Sequence, residues 1–342
     1  MPTEPYRLSL LDKAFVPEGA DAPDALARTV ALAQLAEELG FHRYWFAEHH
    51  GTAMVGSTAP EALVAFVLAR TSRIRVGSGG VMLQHYAPFK VAETFRLLAA
   101  LAPGRVDLGV GRAPGGMPQA TRALRANQEG ARPDAFADKL DELEAFVVGN
   151  LPEDHRWAGA LAAPEPVTPP ARILLGASLE SAETAAHLGW DYCYAGHFDG
   201  DPDRMARVFG RFADLTGRRP LLALVAFADS SEERARSLAK PLRLYRVRLA
   251  NGQSVNLPDL AAAAEFARQS GATEYTADPI APDVLAGTGE QIRDALDDLH
   301  DRLGVEEFVI DIPVADHAQR RGAMETLARA MQADRAIARV AA

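Results

Sequence analysis

The sequence predicts a single (β/α)8 barrel, the TIM-barrel fold, and three observations lead to that prediction. Short apolar strands alternate with amphipathic helical stretches from one end of the chain to the other. Eight strands can be counted, whereas the alternative, a doubly wound sheet, more often contains about five or six. No stretch has the composition of a linker, so residues 1–342 are expected to form one domain.

The first half of the chain supplies four of these strands. They are predicted at residues 6–11, 43–46, 74–78 and 106–110. Helices are predicted at residues 24–39, 60–70 and 88–101, because apolar residues recur there at helical spacing. Pro60 and Pro88 suit a first helical position, and Gly40 is a typical C-terminal stop.

The second half repeats the alternation less regularly. Strands are predicted at residues 173–176, 191–195, 221–228 and 308–312, and helices at 181–188, 202–215, 290–303 and 318–331. Two stretches interrupt the rhythm: 113–133 after the fourth strand and 230–289 after the seventh. Long insertions in a compact domain are usually functional, so both are expected to be loops or lids beside a site.

Composition and charge exclude several classes of protein. With 48% hydrophobic and 24% charged residues, the chain is too apolar to be disordered. The net charge of −10 opposes binding to nucleic acids and anionic membranes. Cys193 has no partner for an internal disulfide and is expected to be a small buried strand residue. Neither a secretory signal nor a transmembrane stretch is recognisable, so a cytoplasmic protein is expected.

Polar or glycine-rich residues follow five of the predicted strands. In a parallel barrel the carboxyl ends of the strands meet on one face, and that face carries the active site. The sequence therefore predicts a site built from these strand ends. In strand order they are Glu48-His49-His50, Gly79-Gly80, Gly111-Arg112, Gly176-Ala177-Ser178 and Gly196-His197.

His49 and His50 are candidates for acid–base chemistry, because the pKa of imidazole lies near neutral pH. Adjacent residues that leave a strand point to opposite sides, so only one of the two easily faces the barrel axis. We expect His49 to be catalytic, and His50 and His197 to line a substrate pocket. Histidines that only pack or cap a loop are the structural alternative. A metal site is not expected, since only His197 and Asp311 could add ligands.

Two groups of small residues are candidates for binding a cofactor. Gly79 and Gly80 would let a flat ligand approach the backbone, and Val81 begins an apolar segment that suits a ring system. A merely flexible strand end is the alternative.

The second group is the turn of Gly176, Ser178 and Ser181, which leads into a helix whose backbone N–H groups could hold a phosphate. An ordinary serine N-cap would have the same sequence. Arg112 could bind an anion or pair with a carboxylate of the barrel.

The segments that contain these residues resemble the bacterial luciferase-like flavin-dependent monooxygenases. The resemblance rests on residues 46–50, 76–83 and 108–115, with further similarity at 176–186 and 287–289, so it covers most of the chain. It implies a (β/α)8 barrel that binds FMN at the strand ends. It also implies that reduced flavin reacts with O2 to give a C4a-peroxyflavin, which oxygenates a small organic substrate.

The resemblance also implies roles for particular residues. His49 corresponds to the catalytic histidine, and Ser178 and Ser181 to the hydroxyls that hold the FMN phosphate. The bond between Gly79 and Gly80 corresponds to a non-proline cis peptide beside the isoalloxazine ring. The remaining correspondences are Arg112, the arginine of the fourth strand, and Arg132, a second phosphate-side arginine. Residues 84–86 depart from the family's pattern, so the substrate of a relative cannot be transferred.

Partners and alternatives follow from the same resemblance. The sequence contains no Rossmann fingerprint for a nicotinamide, which fits reduced flavin arriving from a separate reductase. A homodimer formed through the helices near 60–70 and 88–101 is expected. Two other functions remain open: an oxidoreductase that transfers hydride with the deazaflavin F420, and a non-catalytic protein that binds or stores flavin.

Overall fold

The structure is a computed structural model that describes residues 6–17, 19–126, 136–196, 201–280 and 284–340, with side chains described as far as residue 332. The strands are, in chain order, β1 (Arg7–Asp12), β2 (Arg43–Phe46), β3 (Arg75–Ser78), β4 (Val81–Met82), β5 (Val106–Gly111), β6 (Ala171–Gly176), β7 (Asp191–Ala195), β8 (Leu221–Ala228), β9 (Leu244–Leu249), β10 (Ser254–Leu257), β11 (Tyr275–Ile280), β12 (Val284–Gly287) and β13 (Glu307–Asp311).

The helices surround the strands. They are α1 (Ala22–Leu39), α2 (Pro60–Leu68), α3 (Pro88–Leu101), α4 (Pro118–Leu124), α5 (Phe136–Val148), α6 (Leu179–His187), α7 (Pro202–Thr216), α8 (Glu232–Ala239), α9 (Leu260–Gln269), α10 (Gly289–Leu303) and α11 (His317–Val340). No helix in the described ranges is both long and apolar enough to cross a membrane.

Eight parallel strands close into a barrel in the order β1, β2, β3, β5, β6, β7, β8 and β13, with β13 pairing β1 again. The predicted (β/α)8 barrel is therefore confirmed. Several predicted bounds agree with the structure, among them those of β2, β7, β8 and α3. Local signals explain the helix ends: the Asp21 carboxylate accepts a hydrogen bond from the Asp24 N–H, and Gly40 ends α1 at a φ of 84°.

The barrel interior is filled by side chains from alternate positions of its strands. One buried cluster lies inside the barrel and contains Leu11, Trp45, Ala47, Ile173, Cys193, Leu221, Ala223 and Val309. A larger cluster fills the space between the strands and the helices. Cys193 is fully buried, as predicted. Since the interior is packed, ligands have room only beyond the ends of the strands.

A buried ionic network occupies the amino-terminal end of the barrel. Arg43 Nε donates to Glu307 Oε1 over 2.7 Å, and Arg43 Nη1 lies 3.1 Å from Asp107 Oδ1. The Trp45 indole N–H donates to Asp107 Oδ2 over 2.9 Å. Buried charges that are paired on several sides suit a stabilising role, so the chemistry is to be sought at the opposite, carboxyl-terminal end.

Insertions after the fourth and seventh barrel strands are confirmed, but the second one is not a loop. Residues 230–289 contain α8, α9, β12 and a separate antiparallel sheet in the order β10-β9-β11. This sheet has its own core, formed by Val247, Leu249, Ala263, Phe266 and Ala267. The insertion is therefore a folded unit rather than a loop, because alternating apolar residues in β9 pack against α9. Its role as a lid stays a prediction.

The first insertion also contains more regular structure than predicted. Helix α4 lies within 113–133, and α5 follows it as the helix of the fourth strand, buried through Leu140, Leu143, Phe146 and Val147. The two insertions contact each other. The Gln119 N–H donates to Gln269 Oε1, and Arg122 Nη1 donates to the Gln269 carbonyl, both over 3.0 Å.

Candidate active site

His49 lies in the segment after β2, where its backbone N–H donates to the Ser57 carbonyl over 2.9 Å. Its ring atom Nδ1 is buried and has no hydrogen-bond partner among the described residues. Burial and the nearby Lys13 ammonium lower the pKa of His49 to about 4, while Asp311 acts in the opposite direction. The ring is therefore neutral at pH 7 and has a nitrogen available to a ligand.

Lys13 and Asp311 form an ion pair at the same end of the barrel. Asp311 is the last residue of β13 and is 2% exposed, whereas the Lys13 side chain, directly after β1, is 20% exposed. The second carboxylate oxygen of Asp311, Oδ1, is buried without a hydrogen-bond partner in the described part of the chain. Sequence reasoning considered Asp311 only as a metal ligand and missed Lys13. The sequence carries no local signal for this pair, because Lys13 and Asp311 are 298 residues apart.

The carboxylate of Glu48 is the centre of a second polar network. It is 1% exposed and accepts hydrogen bonds from the Met82 N–H at 3.0 Å and from the Tyr86 hydroxyl at 2.7 Å. His50 Nε2 donates to the same oxygen as Tyr86, also over 2.7 Å. Burial and the bond to Glu48 raise the pKa of Tyr86, so its phenol keeps its proton. His50, the predicted pocket residue, is thus held against Glu48.

This network is continuous with the first part of the insertion after β5. The His50 N–H donates to the Gly115 carbonyl over 2.7 Å, and His85 Nε2 donates to the Pro114 carbonyl over 2.8 Å. Arg125 Nε donates to His85 Nδ1 over 3.2 Å. These hydrogen bonds connect the segment after β2, the segment after β4 and the first part of the insertion after β5. They keep the residues after β2 in place.

Gly79 and Gly80 directly follow β3, with a cis peptide bond between them, as the resemblance implied. A Cβ on Gly79 would lie 2.7 Å from Leu11 Cδ1, so that leucine would have to move. A Cβ on Gly80 would lie 2.8 Å from the Gly109 carbonyl, so the backbone there excludes a side chain. Val81 pairs with β5, and its side chain is buried in the larger cluster. The expected contact of Val81 with a ring system stays a prediction.

Ser178 and Ser181 form a capping box at the start of α6. The Ser181 N–H donates to Ser178 Oγ over 3.1 Å, and the Ser178 N–H donates to Ser181 Oγ over 3.2 Å. A Cβ on Gly176 would overlap with Ser181 Oγ. Arg112 Nη1 lies 3.6 Å from Glu180 Oε1 in the same first turn. The structure therefore brings together four of the five residues predicted to lie at the phosphate: Gly176, Ser178, Ser181 and Arg112.

Two predicted site residues, His197 and Arg132, lie outside the described residues. Across the described ranges, no group of three or more His, Cys, Asp or Glu side chains is arranged to hold a metal ion.

Comparisons with known proteins point to one family. A family model described as luciferase-like monooxygenase matches residues 7–307. The N-acetyl-S-alkylcysteine monooxygenase of Bacillus subtilis (strain 168) is 38% identical over 333 residues, which cover 96% of this chain and 98% of the relative.

Two solved structures have the same fold. The crystal structure of apo-MsnO8 is 32% identical in sequence and has a TM-score of 0.76. The similarity covers 96% of this chain and 98% of that chain. The oxygenating constituent of 3,6-diketocamphane monooxygenase from Pseudomonas putida, in complex with FMN, has a TM-score of 0.65 at 16% identity. The similarity covers 95% of this chain and 97% of that chain, and it concerns the fold alone.

Proposed function

This chain belongs to the luciferase-like monooxygenase family, and we propose that it uses reduced FMN and O2 to oxidise a small organic substrate. The observation that supports the proposal most directly is the arrangement of the barrel mouth. A strand end of bare backbone, a neutral histidine and a serine turn that leads into a helix lie at the carboxyl ends of β3, β2 and β6. Chemistry at this end of the barrel is the rule for the fold.

The residues of the mouth fit FMN. Gly79 and Gly80 present backbone without side chains, which a flat ring system could approach closely, and His49 Nδ1 is a buried polar atom that lacks a partner in the described chain. Ser178 and Ser181 begin a helix, and Arg112 adds a positive charge there, so this turn would hold the phosphate. When bound, reduced FMN supplies the electrons with which O2 is activated.

The residues of the chain have simpler tasks. The neutral ring of His49 can accept a proton at Nδ1 or form a hydrogen bond there. Glu48, with Tyr86 and His50, fixes the segments that border the site. The insertions border the mouth and restrict the access of water.

An anaerobic titration tests this function. The purified chain is titrated with FMN, with reduced FMN and with reduced F420, and absorbance and O2 uptake are then followed after mixing with oxygenated buffer. We expect reduced FMN to bind and O2 to be consumed. Preference for F420 without O2 consumption would instead establish hydride transfer, and tight binding of oxidised FMN without turnover would establish storage.

We propose that a separate reductase supplies the reduced FMN. With NADH or NADPH alone the chain is expected to consume no O2, and addition of any FMN reductase should start the reaction. Rapid oxidation of NADH or NADPH by the chain alone would contradict this. N-acetyl-S-alkylcysteines are the first substrates to test, because the Bacillus subtilis relative named for them is 38% identical over nearly the whole chain.

We also propose a homodimer through α2 and α3. Three large apolar side chains on these helices are exposed: Phe66 at 52%, Leu97 at 47% and Leu101 at 72%. Burial of such a patch by a second copy would remove apolar surface from water. Light scattering should give twice the mass of the chain, and Leu101→Glu should shift it to the monomer. A monomeric wild-type chain would contradict the proposal.

A further inference from the structure

The hydroxyl of Ser181 already has its full number of hydrogen-bond partners within the chain. Ser181 Oγ donates to the Ser178 carbonyl over 2.9 Å and accepts from the Ser178 N–H over 3.2 Å. The hydroxyl of Tyr192 lies 2.9 Å away and is the donor there, because Ser181 uses its only proton for the carbonyl. A serine hydroxyl donates one hydrogen bond and accepts two. Ser181 Oγ therefore has no capacity left for a phosphate oxygen.

Ser178 is placed differently in the same turn. It is exposed, and its Oγ accepts one hydrogen bond, from the Ser181 N–H over 3.1 Å. Ser178 Oγ also lies 3.1 Å from Ser181 Oγ, but both acceptor positions of that atom are taken. The proton of Ser178 is therefore available to an acceptor outside the chain. The N–H groups of Leu179 and Glu180 begin α6, where no earlier helical turn supplies a carbonyl acceptor, so a phosphate would bind them together with the Ser178 hydroxyl.

Tyr192 reaches this turn from the core. It lies in β7, is fully buried, and stacks its ring on Phe212 of α7 with the ring centroids 5.8 Å apart. Its hydroxyl lies 2.9 Å from Ser181 Oγ and 3.4 Å from the Ser178 carbonyl oxygen. A Cβ on Gly176 would lie 3.3 Å from this hydroxyl and overlap with Ser181 Oγ, so the glycine leaves space for the contact. A phenylalanine ring would fill the core equally well. Packing therefore explains the ring of Tyr192 but not its hydroxyl.

We propose that Tyr192 is a positioning residue of the phosphate-binding turn, and that Ser178 is the one of the two serines that contacts the phosphate. The phenol of Tyr192 holds the Ser181 hydroxyl, and that hydroxyl in turn orients the amide and the carbonyl of Ser178. The turn is thus ordered before a ligand arrives, which reduces the entropy lost on binding. The inference rests on the proposed binding of FMN at this turn.

The experiment compares two flavins that differ only in the phosphate. Reduced FMN and reduced riboflavin are each equilibrated with the chain without oxygen, and unbound flavin is measured after ultrafiltration. The ratio of the two dissociation constants gives the preference for FMN, which isolates the contribution of the phosphate. It is measured for the wild type, Ser178→Ala, Ser181→Ala, Tyr192→Phe and the double variant of the last two.

Tyr192→Phe keeps the buried ring and removes the donor. It should lower the preference for FMN by about 2- to 10-fold and leave riboflavin affinity unchanged. Ser181→Ala should have a similar effect, and the double variant should lose no more than Ser181→Ala, because Tyr192 acts through that hydroxyl. Ser178→Ala removes a direct bond to a charged group and should lower the preference by about 10- to 100-fold.

Tyr6→Phe is the matched control. It also removes a buried phenol, one that donates to Asp297 Oδ1 over 2.6 Å at the start of β1. It should lower stability in urea denaturation and leave the preference for FMN unchanged. A purely structural role of Tyr192 would give the same result in Tyr192→Phe and would overturn the proposal.

Two further results would also overturn it. Effects of Tyr192→Phe and Ser181→Ala that multiply in the double variant would mean that the phenol does not act through Ser181. A larger loss in Ser181→Ala than in Ser178→Ala would place Ser181 at the phosphate, and this comparison decides the question even if Tyr192→Phe does not fold. Equal binding of the two flavins by the wild type would refute the inference, whereas O2 consumption with reduced FMN decides the monooxygenase function separately.

Discussion

The Tyr86 hydroxyl donates a hydrogen bond to Glu48 Oε1 over 2.7 Å and so connects the segment after β4 to the segment after β2. Glu48 also accepts from the Met82 N–H, so a single buried carboxylate fixes both ends of the short stretch from Met82 to Tyr86. Residues 84–86 are those expected from the sequence to depart from the family's pattern. The segment expected to differ from relatives is therefore attached to the segment that contains His49.

Tyr86→Phe tests this connection. Loss of one donor to a buried carboxylate should lower the free energy of unfolding by about 1–2 kcal/mol. Turnover should fall more than flavin affinity, because the segments that border His49 lose their fixed position. Urea denaturation and steady-state kinetics measure the two effects. Tyr275→Phe, on exposed β11, is the control and should change neither. A variant with wild-type stability would mean that the bond has no net effect.

Gly80→Ala tests the need for a strand end without side chains. The new Cβ would lie 2.8 Å from the backbone of Gly109, so β3 and β5 must move apart. We expect a loss of about 1–3 kcal/mol in unfolding free energy and a large loss of flavin binding. Gly210→Ala is the matched control, since a Cβ there meets no atom within 4 Å. That helical substitution should stabilise the chain by about 0.5–1 kcal/mol. Equal changes in unfolding free energy and in flavin binding in the two variants would contradict the prediction.

Ser178→Ala and Ser181→Ala separate a phosphate site from a plain helix cap. Each variant should lose about 1 kcal/mol of stability, because the capping box is broken. If the hydroxyls also bind phosphate, the double variant should lose about 1–3 kcal/mol of FMN binding energy, measured by calorimetry. Ser231→Ala, which removes the serine N-cap of α8, should reduce stability without changing FMN affinity. A loss of stability without a change in FMN affinity would mean that this turn is only a helix cap.

The pKa of His49 predicts how stability depends on pH. Burial lowers that pKa from 6.5 to about 4, so between these values the unfolded chain binds more protons than the folded one. Stability therefore falls as the pH decreases through this window, by at most about 3 kcal/mol for this residue. His42 has a similarly lowered pKa and contributes in the same direction. His49→Gln should lose less stability than the wild type between pH 7 and pH 4.5 in denaturant titrations. Equal losses would show that His49 does not resist protonation.

The alternation of strands and helices was predictable because strands such as Arg43–Phe46 are short, apolar and followed by clear helix signals. The site was predictable where strand ends are locally unusual, as at Gly79 or His49. Lys13 was not, because its ion-pair partner, Asp311, is 298 residues away in the sequence. A long-range partner of this kind has no local signal.

The sheet of the second insertion was missed for a different reason. Val247 and Leu249 alternate with Arg246 and Arg248, which is a strand pattern, but the surrounding prolines and glycines are typical of a loop. The pairing of β9 with β10 and β11 and the core that β9 shares with α9 stabilise the strand. The strand pattern was therefore present in the sequence, but the prolines and glycines around it led to the prediction of a loop.

The contact of Gln119 and Arg122 with Gln269 has a consequence for protein engineering. These residues belong to the two insertions and are about 150 positions apart in the chain, yet their hydrogen bonds make α4 and α9 neighbours. A chimaera that takes one insertion from a relative would bring together surfaces that did not evolve as a pair. Transfer of substrate preference between members of the family should therefore require both segments to be exchanged together.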